Sequence, residues 1–142
     1  MITEDYVSYE VAKLLKDKGF PQTRILGDFI TNMIYKVKTN ESGKHSLLLQ
    51  YPDRRYNKDR YIAAPTYQMA MKWLRKKHNL SIDVCTIQGR EVSYMFNIWD
   101  FSSIHDNKFI GGTFDLREQL YDFKAPEEAA ETAIKYCLEN LI

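Results

Sequence analysis

The sequence predicts an α+β fold, an antiparallel sheet of four to five strands with three helices, in the order α-β-β-α-β-β-(β)-α. Two observations support this fold. Three segments repeat apolar residues at steps of three and four, as one face of a helix requires. Residues 91–100 alternate apolar and polar side chains, as a half-buried strand does. A chain of 142 residues can bury a hydrophobic core, so we expect a single domain over residues 1–142.

The clearest helix is predicted from Pro65 to Asn79. Proline suits a first helical position because it has no amide hydrogen to lose, and Thr66 is an alternative cap one residue later. Asn79 tolerates the left-handed conformation that ends a helix, and Leu80 is expected to fold back onto the last apolar turn. The predicted apolar face, widened by Met69 and Trp73, consists of Tyr67, Ala70, Met71, Leu74 and His78.

A first helix is predicted over residues 8–18. Ser8 is a favourable N-cap, and Gly19 provides the left-handed residue that ends the helix, so that Phe20 packs back on Leu15. The expected buried residues are Val11, Leu14 and Leu15.

The C-terminal helix is predicted to begin at Pro126, with Glu127 and Glu128 at its positive end. We expect it to cover the same sheet face as the central helix, with Met71 and Leu74 buried together with Leu138 and Leu141. Its apolar stripe is Ala130, Ala133, Ile134, Cys137, Leu138 and Leu141.

Strands are predicted on both sides of the central helix. Residues 24–38 favour a strand in two pieces, followed by a turn at 40–43 and a second strand at 46–51. The three consecutive leucines at 47–49 indicate either a strand buried on both faces or a helix. Residues 52–62 are polar and lack periodicity, so they are predicted to form a loop.

After the central helix, residues 81–87 and 91–100 predict a hairpin with its turn at 88–90. Residues 101–113 are predicted to be an exposed loop that ends in two glycines. Residues 114–123 favour a last strand, with a short helix as the alternative.

Three blocks of this sequence resemble a known family: MITEDYVSYEVAKLLKDKGF at the start, AAPTYQMAMKWLRKKHN in the middle and EEAAETAIKYCLENLI at the end. They are similar to a family of small uncharacterised proteins of gut anaerobic bacteria and their phages or mobile elements. The resemblance implies one compact domain of bacterial or phage origin, and it assigns no activity to any residue. The segment RILGDFITNMIYKVKTNESGKHSLLLQY and the run after Tyr94 depart from the family pattern.

Composition indicates a folded protein in the cytoplasm. Hydrophobic residues make up 44% and charged residues 27% of the chain, as in folded rather than disordered proteins. Two cysteines provide no disulfide framework, so we expect both to be reduced core residues. The start MITEDY lacks the apolar run of a secretory signal, and no apolar stretch approaches the length of a membrane helix. No membrane association is therefore expected.

Sequence motifs favour a non-enzymatic protein without a metal or cofactor. Neither cysteine has a partner at CxxC spacing, and no GxSxG run marks a nucleophilic serine. Gly111-Gly112 lacks the lysine and following helix of a phosphate-binding loop. His105-Asp106 has no third partner for acid–base chemistry. The histidines are too scattered to predict a metal site: His45, His78 and His105.

One group of residues combines cations with aromatic rings, as proteins that bind single-stranded nucleic acid do. Residues 51–78 hold eight Lys or Arg against two Asp, whereas residues 113–142 hold three against seven acids. The candidate nucleic-acid-binding residues are Arg54, Arg55, Tyr56, Lys58, Arg60, Tyr61, Arg75, Lys76 and Lys77.

The opposed charges also favour self-association, and the ten Tyr, seven Phe and two Trp favour interfaces. Our leading interpretation is a small accessory protein that acts through protein–protein contacts, including a homodimer that uses the opposed segments. The alternative is a weak electrostatic nucleic-acid binder.

Overall fold

The computed structural model describes residues 5–22, 33–36, 47–49, 61–89, 91–103, 108–112 and 123–142. In these ranges the elements are α1 (Tyr9–Asp17), β1 (Met33–Lys36), β2 (Leu47–Leu49), β3 (Tyr61–Ala63), α2 (Tyr67–His78), β4 (Leu80–Ile87), β5 (Ser93–Asp100), β6 (Lys108–Gly112) and α3 (Pro126–Asn140). The predicted α+β class is confirmed, with three helices and antiparallel strand pairs in the described ranges.

The described strands divide between two three-stranded sheets instead of joining in one, in the orders β2-β1-β3 and β4-β5-β6. Each predicted hairpin gains a third strand of its own. The chain divides into two compact units, Met1–Ala70 and Met71–Ile142, with the boundary inside α2. The single domain expected from chain length stays a prediction.

In the first unit, α1 has the predicted ends. The Val11 amide donates to Ser8 Oγ at 3.3 Å, and Gly19 takes a φ of +95° after the last turn. The Phe20 amide then donates to the Leu15 carbonyl at 2.9 Å, and both side chains are buried. The buried face differs by one position, because Ala12 is buried whereas Leu14 is only partly so. The small Ala12 side chain suits a helix that packs closely against β3.

The first sheet confirms the predicted pairing of the first two strands. Tyr35 of β1 lies opposite Leu47 of β2, so residues 47–49 are a strand and not a helix. The prediction of a loop through residue 62 was wrong at its end, because Tyr61 and Ile62 belong to β3 and pair with β1. Ile62 is buried, which favours a strand over a solvated loop. The turn at 40–43 and residues 50–60 lie outside the described ranges.

Backbone pairing ties the start of the described chain to the segment before α2. The Val7 amide donates to the Pro65 carbonyl at 3.0 Å, and the Tyr67 amide donates to the backbone carbonyl of Asp5 at 3.3 Å. The Tyr35 hydroxyl donates to the buried Val7 carbonyl at 2.7 Å. These bonds place Pro65 in the core of the first unit, where its side chain is fully buried.

Helix α2 begins at Tyr67, so Thr66 and not Pro65 supplies the cap. Thr66 Oγ1 accepts from the Met69 amide at 3.2 Å. Asn79, with φ 56°, ends the helix as predicted. Leu80 is the first residue of β4 and is buried, and its packing on the last turn of α2 stays a prediction.

The buried face of α2 is rotated from the predicted one. Ala70, Trp73 and Leu74 are buried, which is the spacing of one helix face. Tyr67, Met71 and His78 were predicted on this face but are only partly buried. Burial of the large Trp73 ring accounts for the rotation, because it removes more apolar surface from water than Met71 would.

The second sheet confirms the predicted hairpin. Strands β4 and β5 pair without interruption from Leu80↔Asp100 to Ile87↔Ser93. The prediction of an exposed loop over 101–113 was wrong for its last part, because β6 pairs with β5 and its two glycines are buried. At Gly112 an added Cβ would meet the Asn97 side chain and lie 2.9 Å from the Phe96 carbonyl oxygen. The glycine therefore permits close strand packing and does not mark a turn.

Helix α3 begins at Pro126 as predicted and packs on β4 and β5. Just before it, Phe123 and Tyr94 exchange two backbone hydrogen bonds of 2.8 Å. The predicted stripe is buried except for Leu141, which follows the last helical residue and is partly exposed. Whether α2 covers the same sheet face stays a prediction. Of residues 114–123, only Phe123 is described.

Leu74→Ala should lower the free energy of unfolding by about 2–5 kcal/mol, because Leu74 is fully buried and truncation leaves a cavity. Met71→Ala is the matched control on the same helix, and its partly exposed side chain should cost less. Denaturant titration measures both changes. A loss below about 0.5 kcal/mol for Leu74→Ala would show that this helix face is not core.

Gly112→Ala should destabilise the protein by about 1–3 kcal/mol, because the Phe96 carbonyl is backbone and cannot rotate away from a new methyl group. Gly89→Ala is the control, since its added Cβ would make only an ordinary contact of 3.7 Å with the Glu91 carbonyl oxygen. Equal stability of the two variants in thermal unfolding would contradict the close approach of β5 and β6.

Candidate interaction surface

The predicted basic and aromatic residues fall into three groups. Tyr61 is half-buried in β3 of the first unit, whereas Arg75, Lys76 and Lys77 are exposed in the last turn of α2. We refer to these three cations as the basic turn. The others lie outside the described ranges: Arg54, Arg55, Tyr56, Lys58 and Arg60. The assembly of all nine residues into one nucleic-acid surface stays a prediction.

The register of β4 with β5 sorts the second sheet into two faces. On one face Ile82 lies opposite Ile98 and Val84 lies opposite Phe96. Phe96 and Ile98 are fully buried, and α3 packs on these two strands, so this is the face that α3 covers.

We refer to the other side of this sheet as the open face. None of its described side chains is fully buried, although several are apolar. Its residues are Ser81, Asp83, Cys85, Ile87, Ser93, Met95, Asn97, Trp99 and Phe109. A sheet that carries a core on one face and apolar side chains on the other is a candidate contact surface.

The most apolar part of the open face lies where β5 ends and β6 begins. The Trp99 and Phe109 rings lie opposite each other, with centroids 5.0 Å apart and planes inclined by 54°. Phe101 follows on β5, and its amide donates to the Asn79 carbonyl at 2.8 Å, which extends the ladder beyond the strand ends. Phe101 is 41% and Phe109 44% exposed. We refer to Trp99, Phe101 and Phe109 as the aromatic end.

A β-bulge shapes this aromatic end. Gly111 pairs with Ile98 and Phe109 pairs with Trp99, so Ile110 is the extra residue on β6. A bulge redirects the side chains that follow it along a strand. Because of this extra residue, Phe109 and not Ile110 lies opposite Trp99.

The basic turn lies close to the aromatic end. Lys77 precedes Asn79 by two residues, a separation of at most about 7 Å along the chain. Asn79 is bonded directly to Phe101 at 2.8 Å. The backbone segments of the basic turn and the aromatic end therefore lie at the same end of the second sheet, where β4 begins and β5 ends.

Asp100 and Lys108 offset each other at the same end of the sheet. They are opposite residues on β5 and β6. Hydrogen bonds from Ser102 and the charge of Lys108 lower the pKa of Asp100, and the Ser102 amide donates to Asp100 Oδ1 at 2.8 Å. Because this carboxylate stays charged beside Lys108, the basic turn supplies the net positive charge of the described residues at this end of the sheet.

His78 lies between the basic turn and Asn79 in the chain. Its ring centroid is 4.8 Å from that of Trp73, with the planes inclined by 69°. Partial burial lowers the pKa of His78, which favours the neutral ring beside Trp73. His45, His105 and Asp106 lie outside the described ranges. Within those ranges, no three His, Cys, Asp or Glu residues form a group suited to a metal ion.

The two cysteines have different environments, although both were predicted to lie in the core. Cys137 is buried on α3, and its burial raises the pKa of the thiol to about 12. Cys85 is only partly buried, because its position on β4 places it on the open face opposite Met95. Strand alternation explains the difference, since neighbouring Val84 occupies the face that α3 covers.

The aromatic end was not predicted from the sequence. Its signal was Trp99, a large aromatic residue on the polar side of an alternating strand, together with Met95. Phe109 carried no such signal, because residues 101–113 were predicted to be a loop. Phe109 pairs with Trp99 because it lies in β6, whereas the two glycines at the end of this segment favoured a loop in the sequence.

Comparison with known proteins provides no relative: no protein-family model, curated protein or solved structure matches the chain. In the part of the chain that the structure describes, no helix has the length and apolar character needed to cross a membrane.

Thiol labelling should separate the two cysteines. In a Cys85→Ser variant, the remaining Cys137 should react with a thiol reagent only under denaturing conditions, because a buried thiol with a pKa of about 12 carries almost no thiolate. In a Cys137→Ala variant, Cys85 should react faster in the native protein. Native labelling of Cys137 at the rate of Cys85 would contradict the burial assigned to α3.

Proposed function

We propose that the protein is a small, non-enzymatic accessory protein of bacterial or phage origin that works in the cytoplasm through contacts with other proteins. The aromatic end of the open face is the observation that supports this proposal. Among the described residues, two of the three exposed large apolar side chains lie at this end: Phe109 packs against Trp99, and Phe101 follows Trp99 by two residues. Scattered apolar side chains are ordinary on protein surfaces, whereas a cluster of this kind marks a contact site.

The chemistry of the open face suits a protein partner. Aromatic side chains supply much of the binding energy of protein interfaces, particularly where surrounding groups exclude water. Ser81 lies directly opposite Trp99, and Asp83 lies opposite Asn97 in the next row. These polar groups beside the rings provide hydrogen-bonding partners for a polypeptide. A homodimer that uses the opposed charges of the two sequence segments is one form of this proposal.

The alternative function, weak nucleic-acid binding, retains one supporting observation, the exposed basic turn. Asp83 opposes it, because this exposed carboxylate lies on the open face and would repel a phosphate backbone. Retardation of single-stranded DNA or RNA at low salt tests this alternative. Reversal of Arg54, Arg55, Lys76 and Lys77 to Glu should then abolish the binding without unfolding the protein.

The proposal predicts that Phe101→Ser combined with Phe109→Ser weakens association by roughly 10-fold or more, as loss of interface anchors does. Sedimentation velocity over a range of concentrations measures self-association, and affinity capture from the native host measures partner binding. Val92→Ser is the matched control, because Val92 is 63% exposed but precedes β5 at the other end of the hairpin.

Wild-type protein that neither associates with itself nor retains a discrete partner would contradict the proposal. An equal loss of association in the Val92→Ser control would also contradict it, because the aromatic end would then have no special role. Circular dichroism of each variant checks that the fold is retained.

A further inference from the structure

We infer that the partner contacts the aromatic end through a short acidic segment that carries a large apolar side chain. The apolar side chain packs against Trp99, Phe101 and Phe109, and the carboxylates of the segment face the basic turn. This inference rests on the proposed function and adds the chemistry of the partner to it.

The size of the open face favours a short segment over a second copy of the chain. Strands β4 and β5 have eight residues each, so the sheet is about 27 Å long in the strand direction. Its three strands make it about 14 Å wide. The projected area is on the order of 400 Å², about half of what each partner buries in a stable protein–protein interface. An extended segment of about eight residues covers this length, because it rises by about 3.3 Å per residue.

The charge of the region favours an acidic segment. Arg75, Lys76 and Lys77 are exposed within two to four residues of Asn79, which is bonded to Phe101. Because the charges of Asp100 and Lys108 offset each other, the basic turn determines the sign of the charge that the described residues carry at this end of the sheet. Complementary charge steers a partner to its site and rejects partners of the same sign.

The charges on the open face also determine which end of the bound segment lies beside the basic turn. Asp83 is exposed and lies two residues along β4 from Ser81, the residue opposite Trp99, which is about 7 Å further into the sheet. A carboxylate of the partner near Asp83 would be repelled. The acidic residues of the segment therefore belong at the end beside the basic turn, and its other end is neutral or basic.

A displayed library of random peptides, selected on the full chain, tests this inference without a known partner. Enriched peptides should carry net negative charge, with the acids grouped towards one end and at least one Trp, Phe, Leu or Ile. Fluorescence anisotropy of the most enriched peptide, at low and high salt, then measures binding to variants.

Replacing Arg75 and Lys77 by Gln should weaken binding of that peptide roughly 10-fold and reduce the salt dependence of the binding, as expected for two exposed charge contacts. The matched control replaces Lys124 and Lys135 by Gln and should leave binding unchanged, because one lysine lies just before α3 and the other lies on α3, which packs on the other face of the sheet. The variant that combines Phe101→Ser with Phe109→Ser should also bind the peptide more weakly. Circular dichroism verifies that each variant is folded.

Three results would overturn the inference. The first is enrichment of neutral or basic peptides, or of none, and the second is an equal effect of the Arg75/Lys77 and Lys124/Lys135 replacements. The third is tighter binding of a labelled oligo-dT strand than of any peptide. If non-acidic peptides bind and depend on Phe101 and Phe109, only the inference fails; if binding is indifferent to both rings, the proposed function fails with it.

Discussion

The uninterrupted pairing of β4 with β5 is the constraint on which the second unit depends. Its register, from Leu80↔Asp100 to Ile87↔Ser93, decides which side chains face α3 and which face away. A slip of one residue would move Phe96 and Ile98 out of the core and Trp99 into it. Burial of Phe96 and Ile98 against α3 therefore stabilises the register, and the same register leaves Trp99 on the open face.

The end of α2 places positive charge beside the first residue of β4. Helix termination at Asn79 requires a left-handed residue, and asparagine accepts that conformation at φ 56°. The next residue, Leu80, begins β4. The cations of the basic turn, which are favourable at a helix C-terminus, therefore lie next to the start of this strand. The bond from Phe101 to Asn79 joins that end to β5. Helix stability and charge placement at the aromatic end thus have the same cause.

Local patterns in the sequence predicted the elements whose signals are local. Ser8 and Gly19 bound α1, and the predicted alternation holds from Ser93 to Asp100, because caps and pleats depend on adjacent residues. It was wrong at Val92, which precedes the strand and is exposed. Non-local contacts could not be predicted in this way. Gly112 lies in a strand because the Phe96 carbonyl approaches it, and β3 exists because β1 offers it a pairing edge. Neither partner is visible in the surrounding sequence.

The candidate site shows the same limit of prediction from local sequence patterns. The sequence predicted the cations of the basic turn but grouped them with residues near them in the chain. Their neighbour Phe101 lies more than twenty positions away and reaches them only through strand pairing. Trp99 and Phe109 lie on the face opposite to the one that α3 covers, and neither is fully buried, whereas Phe96 and Ile98 are buried on the covered face. The strand register thus assigns these two pairs of side chains to opposite faces, one inside the core and one outside it.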